Sequence, residues 1–229
     1  MDFDGNLIGL IVTYIYVAVI ILISEKLLKN RPSLARKFTH IMVGNIIFLL
    51  PLFTGRVVMT FFVAAPILIF SFLMTKYSPI KINNTITSSG HGLGLFYYAI
   101  SWTVLAFLFY NQPYIIAVGI VAMSYGDGFA SLVGQKFGKH KYTVFGDTKS
   151  FEGSITMFLV LIAMLCLSLG YYVFINNTFN MGYPLHILNL FVVIAVSALA
   201  TVVEGITPKG IDNLTVCFSA VILYILLAI

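Results

Sequence analysis

Apolar positions in this chain come in long, nearly uninterrupted runs separated by short polar breaks. That spacing predicts helices on the scale of a bilayer rather than amphipathic helices on a soluble core. Eight runs are legible, at about residues 6–23, 38–53, 57–75, 95–110, 114–133, 155–175, 185–203 and 214–229. The second is short for a span, the third contains Pro66, which can kink a helix without preventing insertion, and the fifth ends in Gly126-Asp127-Gly128. The expected fold class is all-α: a polytopic membrane bundle of eight transmembrane helices, forming one integral-membrane domain over residues 1–229 without repeats or heptads.

Composition supports that class and excludes a soluble domain. Of the 229 residues 60% are hydrophobic and 9% charged, and the mean hydropathy is +1.01. Any chemistry must therefore be done by loops and helix ends, which makes each charge informative. With eight spans, 12 of the 13 Lys and Arg residues fall in the connections after runs one, three, five and seven, with Arg56 alone on the other side. The positive-inside rule then puts both termini outside and the polar clusters on the cytoplasmic face. The first run lacks a basic leader and an A-x-A-like cleavage site, so it reads as a retained helix. Cys166 and Cys217 sit in apolar runs without metal-ligand spacing and read as packing residues.

One stretch breaks the apolar pattern at length: Tyr125–Gly153, where Asp127, Asp147 and Glu152 alternate with Lys136, Lys139, Lys141 and Lys149. Asp127, between two glycines at the end of an apolar run, must be paired, metal-bound or facing a wet cleft, and a hard carboxylate suits Mg2+. Gly134 and Gly138 frame a basic segment whose backbone N–H groups can cradle phosphate, although the spacing is not that of a P-loop. Lys149-Ser150-Phe151-Glu152-Gly153 opens a long helix. Ser150 can cap it, Lys149 can neutralise a phosphoryl oxygen, and Glu152 can either bind metal or take a proton.

Two further groups complete the set. Arg36, Lys37 and His40 bring cations and an imidazole to one juxtamembrane helix, and His91 lies between glycines in the 88–91 loop. Glu204, Thr207, Lys209, Asp212 and Asn213 surround the last turn, where Asp212 and Asn213 offer oxygen ligands to Mg2+.

Taken in order, Arg36-Lys37-x-x-His40, Gly126-Asp127-x-x-Ala130-Ser131-x-x-Gly134-x-x-x-Gly138, Lys149-Ser150-Phe151-Glu152-Gly153 and Gly210-Ile211-Asp212-Asn213 resemble the polyprenol kinase family of dolichol, phytol and CTP-dependent diacylglycerol kinases. The resemblance implies transfer of a γ-phosphate, usually from CTP with ATP possible, to the hydroxyl of a membrane isoprenoid or lipid alcohol. It implies Mg2+ on Asp127 with Asp212 or Glu152, and Lys149, Lys136, Lys139, Arg36, Lys37, Ser150, Asn213 and the glycines around the nucleotide. Asp127, Lys149, Glu152 and His40 are the catalytic candidates. The expected partners are the lipid alcohol, the nucleotide and the bilayer, with no nucleic acid; the lipid's identity and the oligomeric state are open. The expected location is a multi-pass membrane, the cell membrane in a prokaryote or an endoplasmic-reticulum or organelle membrane in a eukaryote, with the site facing the cytoplasm. Two other functions remain: a cytidylyltransferase acting on phosphatidic acid, like the distantly similar CDP-diacylglycerol synthases, and a small transporter. The C-terminal signature of those synthases is missing, and the polar groups gather at one face rather than at mid-membrane.

Overall fold

The computed structural model describes residues 3–73, 75, 77–78, 93–184, 187–208 and 210–228. His91 with its loop and Lys209 lie outside them. In chain order the elements are α1 (Phe3–Leu27), α2 (Pro32–Val43), a 3-10 stretch (Gly44–Leu52), a π-helical stretch (Val58–Ala64) running into α3 (Ala65–Leu73), and α4 (Gly94–Leu108). Then follow α5 (Pro113–Val121), a second π-helical stretch (Ala122–Asp127), α6 (Gly128–Phe137), β1 (Lys141–Val144), β2 (Asp147–Ser150), α7 (Phe151–Phe179), α8 (Leu190–Ile206) and α9 (Asp212–Ala228).

The helical class holds, but the eight spans do not. Among the described residues, three helices are long and apolar enough to cross a membrane: Gly5–Leu27, the continuous rod Pro113–Phe137, and Phe151–Phe179. The other apolar runs fold as shorter helices, Val58–Leu73, Gly94–Leu108, Leu190–Ile206 and Asp212–Ala228. A helix of 15 residues such as α4 measures about 22 Å at 1.5 Å per residue, short of a hydrocarbon core of about 30 Å. The second run is not one helix at all: α2 stops at Val43 and gives way to a 3-10 stretch containing Pro51. Each run was expected to be long enough to span, and the observed helix lengths overturn that count. The assignment of both termini outside and of the loops to the cytoplasmic face rested on that count and falls with it.

The rod α5–α6 is the axis of the bundle. Pro113 starts it at a position where its missing N–H costs nothing, and every residue from Pro113 to Gly128 is buried. α9 packs on α8, α5 and α4, while α7 packs on α6, α8 and α5. Glycine permits the closest approaches: a Cβ on Gly119 would meet Leu105, Val221 and Cys217 at 2.8–2.9 Å. Away from the polar end, Tyr171 and Tyr172 donate to the carbonyls of Phe48 (2.7 Å) and Ile47 (2.6 Å), satisfying acceptors of the 3-10 stretch. Cys217 is buried and Cys166 half-buried, both as free thiols.

Residues 134–153, the polar connection between two apolar runs, carry regular structure. α6 continues through Gly134 to Phe137, a hairpin of two four-residue strands follows with Lys141 opposite Ser150 and Val144 opposite Asp147, and α7 begins at Phe151.

Candidate active site

The starts of α2, α4, α7 and α9 meet the ends of α6 and α8 at one end of the bundle, around a cavity of about 580 Å³. Four helix N-termini converging on one space present unpaired N–H groups and positive dipole ends, a setting that favours anions. Ser150 caps α7 through a bond from the Gly153 N–H to its Oγ at 3.1 Å, and Pro32 occupies the first turn of α2.

Asp127 reaches the cavity from the last position of a π-helical stretch, a helical defect that often marks functional positions. Its carboxylate accepts a hydrogen bond from Lys37 Nζ at 2.8 Å, with both side chains about nine-tenths buried. Opposite it, Lys149 Nζ donates to Glu204 Oε1 at 2.8 Å and also to the Glu204 carbonyl, again with both side chains buried. Asp212, the first residue of α9, accepts from the N–H groups of Gly210 and Asn213, both at 2.9 Å. Carboxylate oxygens of Asp127, Glu204 and Asp212 all lie within 4.8 Å of one another.

Buried carboxylates this close repel as anions. Burial first, and Asp127 second, push the Asp212 carboxyl up to about 7. Burial first, and Lys37 second, push the His40 imidazole down to about 4, so the ring is neutral. Its Nε2 lies 3.0 Å from the Met123 carbonyl, and its 3.9 Å approach to Asp127 is therefore not an ion pair. The ring also stacks against Tyr98 at 4.2 Å between centroids, and the Tyr98 hydroxyl donates to the His40 carbonyl at 3.1 Å. Those contacts hold α2 against α4 and the central rod.

Other predicted residues divide between the cavity and its rim. Arg36, Lys37, His40, Gly134, Lys149, Ser150, Asp212 and Asn213 line the cavity. Gly134 and Gly138 allow close packing at the end of α6: a Cβ on Gly134 would lie 2.9 Å from Ser150 Oγ, and one on Gly138 would lie 2.3 Å from the Gly134 carbonyl and 2.7 Å from Ser150 Oγ. Lys136 and Lys139 are exposed and do not line it. Glu152 stands apart from the carboxylate group, 2.7 Å from exposed His140 Nδ1 and accepting from the His140 N–H at 3.1 Å. The third carboxylate grouped with Asp127 and Asp212 is Glu204. Its signal in the chain was an acidic residue closing an otherwise apolar run, which requires a partner.

The donor set suits Mg2+, which takes hard oxygen ligands in small number. Asn213 Oδ1 adds an independent sign of a ligand here, being a buried acceptor on the cavity wall with no hydrogen-bond partner among the described residues, while its Nδ2 donates to the Gly94 carbonyl at 2.9 Å.

Comparison with known proteins agrees with this chemistry. The chain is 33% identical over 222 residues to the phytol kinase of Synechocystis sp., covering 91% of this chain and 86% of that one. It is 30% identical over 205 residues to phytol kinase 1, chloroplastic, of Arabidopsis thaliana, and 32% identical over 213 residues to a probable chloroplastic phytol kinase of Triticum aestivum. These alignments take 83% and 85% of this chain but only 65% and 67% of the longer plant proteins. No family model and no solved structure matches the chain.

Proposed function

Because the chain belongs to the polyprenol kinase family, among its phytol-kinase-like members, we propose that it moves the γ-phosphate of a nucleoside triphosphate onto the hydroxyl of a membrane isoprenoid alcohol. CTP is the proposed donor, with ATP as the alternative, and the proposed acceptor is of the phytol, geranylgeraniol or dolichol type. The observation that carries this reading is the triad Asp127, Glu204 and Asp212 inside 4.8 Å, bracketed by Lys37 and Lys149 at the meeting of four helix N-termini.

Asp127, Glu204 and Asp212 would hold Mg2+, which when bound neutralises charge on the phosphate oxygens and orients them. Arg36 and Lys149 line the same cavity and offer cationic donors to the oxygens of the transferring group. Lys37 holds the Asp127 side chain in place by its buried bond. Ser150 caps the first turn of α7 and Gly153 lets that turn lie against α6, where a Cβ would come within 2.9 Å of the Ala130 carbonyl, which fixes the start of α7 at the cavity wall. The alcohol oxygen bonds to the γ-phosphorus as the bridging P–O bond breaks. A carboxylate of the triad accepts the hydroxyl proton, and the nucleoside diphosphate leaves. Direct in-line transfer suits a site with no nucleophilic Ser–His or Cys–His pair among its described residues.

The test is to incubate protein in lipid nanodiscs and Mg2+ with γ-labelled or α-labelled CTP, or γ-labelled ATP. The acceptors are phytol, geranylgeraniol, dolichol and phosphatidic acid. Label reaching an isoprenoid alcohol from the γ position alone is the expected result. Label reaching phosphatidic acid from the α position would replace kinase with cytidylyl transfer, and no transfer from either nucleotide would sink both.

A further inference from the structure

The hairpin β1–β2 is joined by a two-residue turn, Phe145-Gly146, with both φ angles positive at 49° and 85°. This is the backbone of a tight hairpin turn whose first position usually holds Asn, Asp or Gly. Phenylalanine is poorly suited there, because its Cβ crowds the following carbonyl in the left-handed region. Among the described residues no packing compensates: Phe145 is 81% exposed, the most exposed large apolar side chain of that set. A strained aromatic at an unpacked tip points to a contact outside the chain.

The hairpin's surroundings indicate what that contact is. Its root leans on the first turn of α7: the Tyr142 ring lies 5.2 Å from that of exposed Phe151, and the Tyr142 hydroxyl lies 2.9 Å from Ser154 Oγ. Phe151, Ile155 and Leu159 recur every fourth residue on α7, all 58–59% exposed, on a helix long and apolar enough to span a bilayer. The hairpin thus stands next to a surface that already faces lipid. Exposed Phe137, Lys136 and Lys139 precede it, giving the mixture of aromatic and lysine side chains that seats protein in the interfacial layer of an anionic membrane.

We propose that the β1–β2 hairpin is a membrane-dipping finger, with Phe145 seated in the apolar edge of the bilayer beside α7 and Lys136 and Lys139 against phospholipid phosphates. The other side of the same hairpin lines the cavity through Lys141, Thr148 and Lys149. The finger therefore ties the cavity to the bilayer surface and defines the side from which a lipid alcohol reaches it. The membrane contact stands independently of the kinase reading.

The test uses the full chain carrying Phe145→Trp in nanodiscs, with the spectrum of the unaltered protein, whose one tryptophan is the buried Trp102, subtracted. The expected difference spectrum is blue-shifted, is quenched by phosphatidylcholine brominated near the top of its acyl chains, and is insensitive to aqueous iodide. Phosphatidylglycerol should increase that quenching about twofold, and Lys136→Gln/Lys139→Gln should remove the increase. Emission typical of water, quenched by iodide and indifferent to brominated lipid, overturns the proposal. So does shielding from both quenchers that disappears on dilution to one copy per disc, which would assign the tip to a second copy of the chain. Bimane-labelled Phe145→Cys, read with the same two quenchers, gives the answer if the tryptophan variant does not accumulate.

Discussion

Lys37 and Asp127 stand ninety positions apart in the chain and meet at 2.8 Å in a buried ion pair, joining the first polar turn of α2 to the π-helical defect in the central rod. Removing one member leaves the other charge buried without its partner, which typically costs about 3–5 kcal/mol. Asp127→Asn should therefore lower both thermal stability in detergent and phosphoryl transfer. In Lys37→Met/Asp127→Leu the melting temperature should return close to that of the unaltered protein while transfer stays absent. Recovery of transfer along with stability would show that Asp127 serves only the fold.

Glu204 and Glu152 should behave differently. Glu204 lies in the carboxylate triad and Glu152 at the rim with His140. Glu204→Gln should reduce transfer by about 100-fold or more, the scale of losing one electrostatic contact to the reacting group, and should weaken Mg2+ binding measured by calorimetry. Glu152→Gln should stay within about tenfold, as for a group acting through others.

Cation affinity should depend on pH. The Asp212 carboxyl, raised to about 7 by burial and by Asp127, must lose its proton to bind a cation. Binding of Mn2+, followed by electron paramagnetic resonance, should tighten about tenfold between pH 5.5 and 6.5, one proton's worth, and level off above about pH 8. Asp212→Asn should abolish that slope. The same raised carboxyl stabilises the metal-free fold at acid pH, a contribution lost as pH rises through about 7.

Gly138 should tolerate a methyl group poorly. Its Cβ would lie 2.3 Å from the Gly134 carbonyl, a backbone atom that cannot swing aside, whereas a Cβ on Gly134 meets the Ser150 side chain. Gly138→Ala should cost about 1–3 kcal/mol, the range for overpacking, and should exceed the cost of Gly134→Ala in thermal melts.

Much of the site was legible because buried charge is expensive beside hydrocarbon. Asp127, Lys149 and Asp212 stand out in an apolar sequence whatever its fold, and Ser150 before a long apolar run is a cap by local rules alone. Glu152 and Glu204 show where that reasoning stops. Both are acids near helix ends, but one points to His140 at the rim and the other to Lys149 in the cavity. Such a difference comes from how α7 and α8 are placed against the hairpin, which no local spacing encodes.

Hydrophobicity along the chain determined a helical membrane bundle, and the scarcity of charge determined which residues had to matter, since both follow from transfer free energies that act residue by residue. Tertiary structure alone decided how far each apolar run extends as one helix, the second giving way to the 3-10 stretch Gly44–Leu52, which leaves three helices of spanning length among the described residues instead of eight. It also decided that Lys37 faces Asp127, that Glu204 joins the carboxylates, and that Gly134 and Gly138 serve helix contact. Those outcomes depend on packing and hydrogen bonding between segments far apart in the chain. Their energies do not exist until the segments meet.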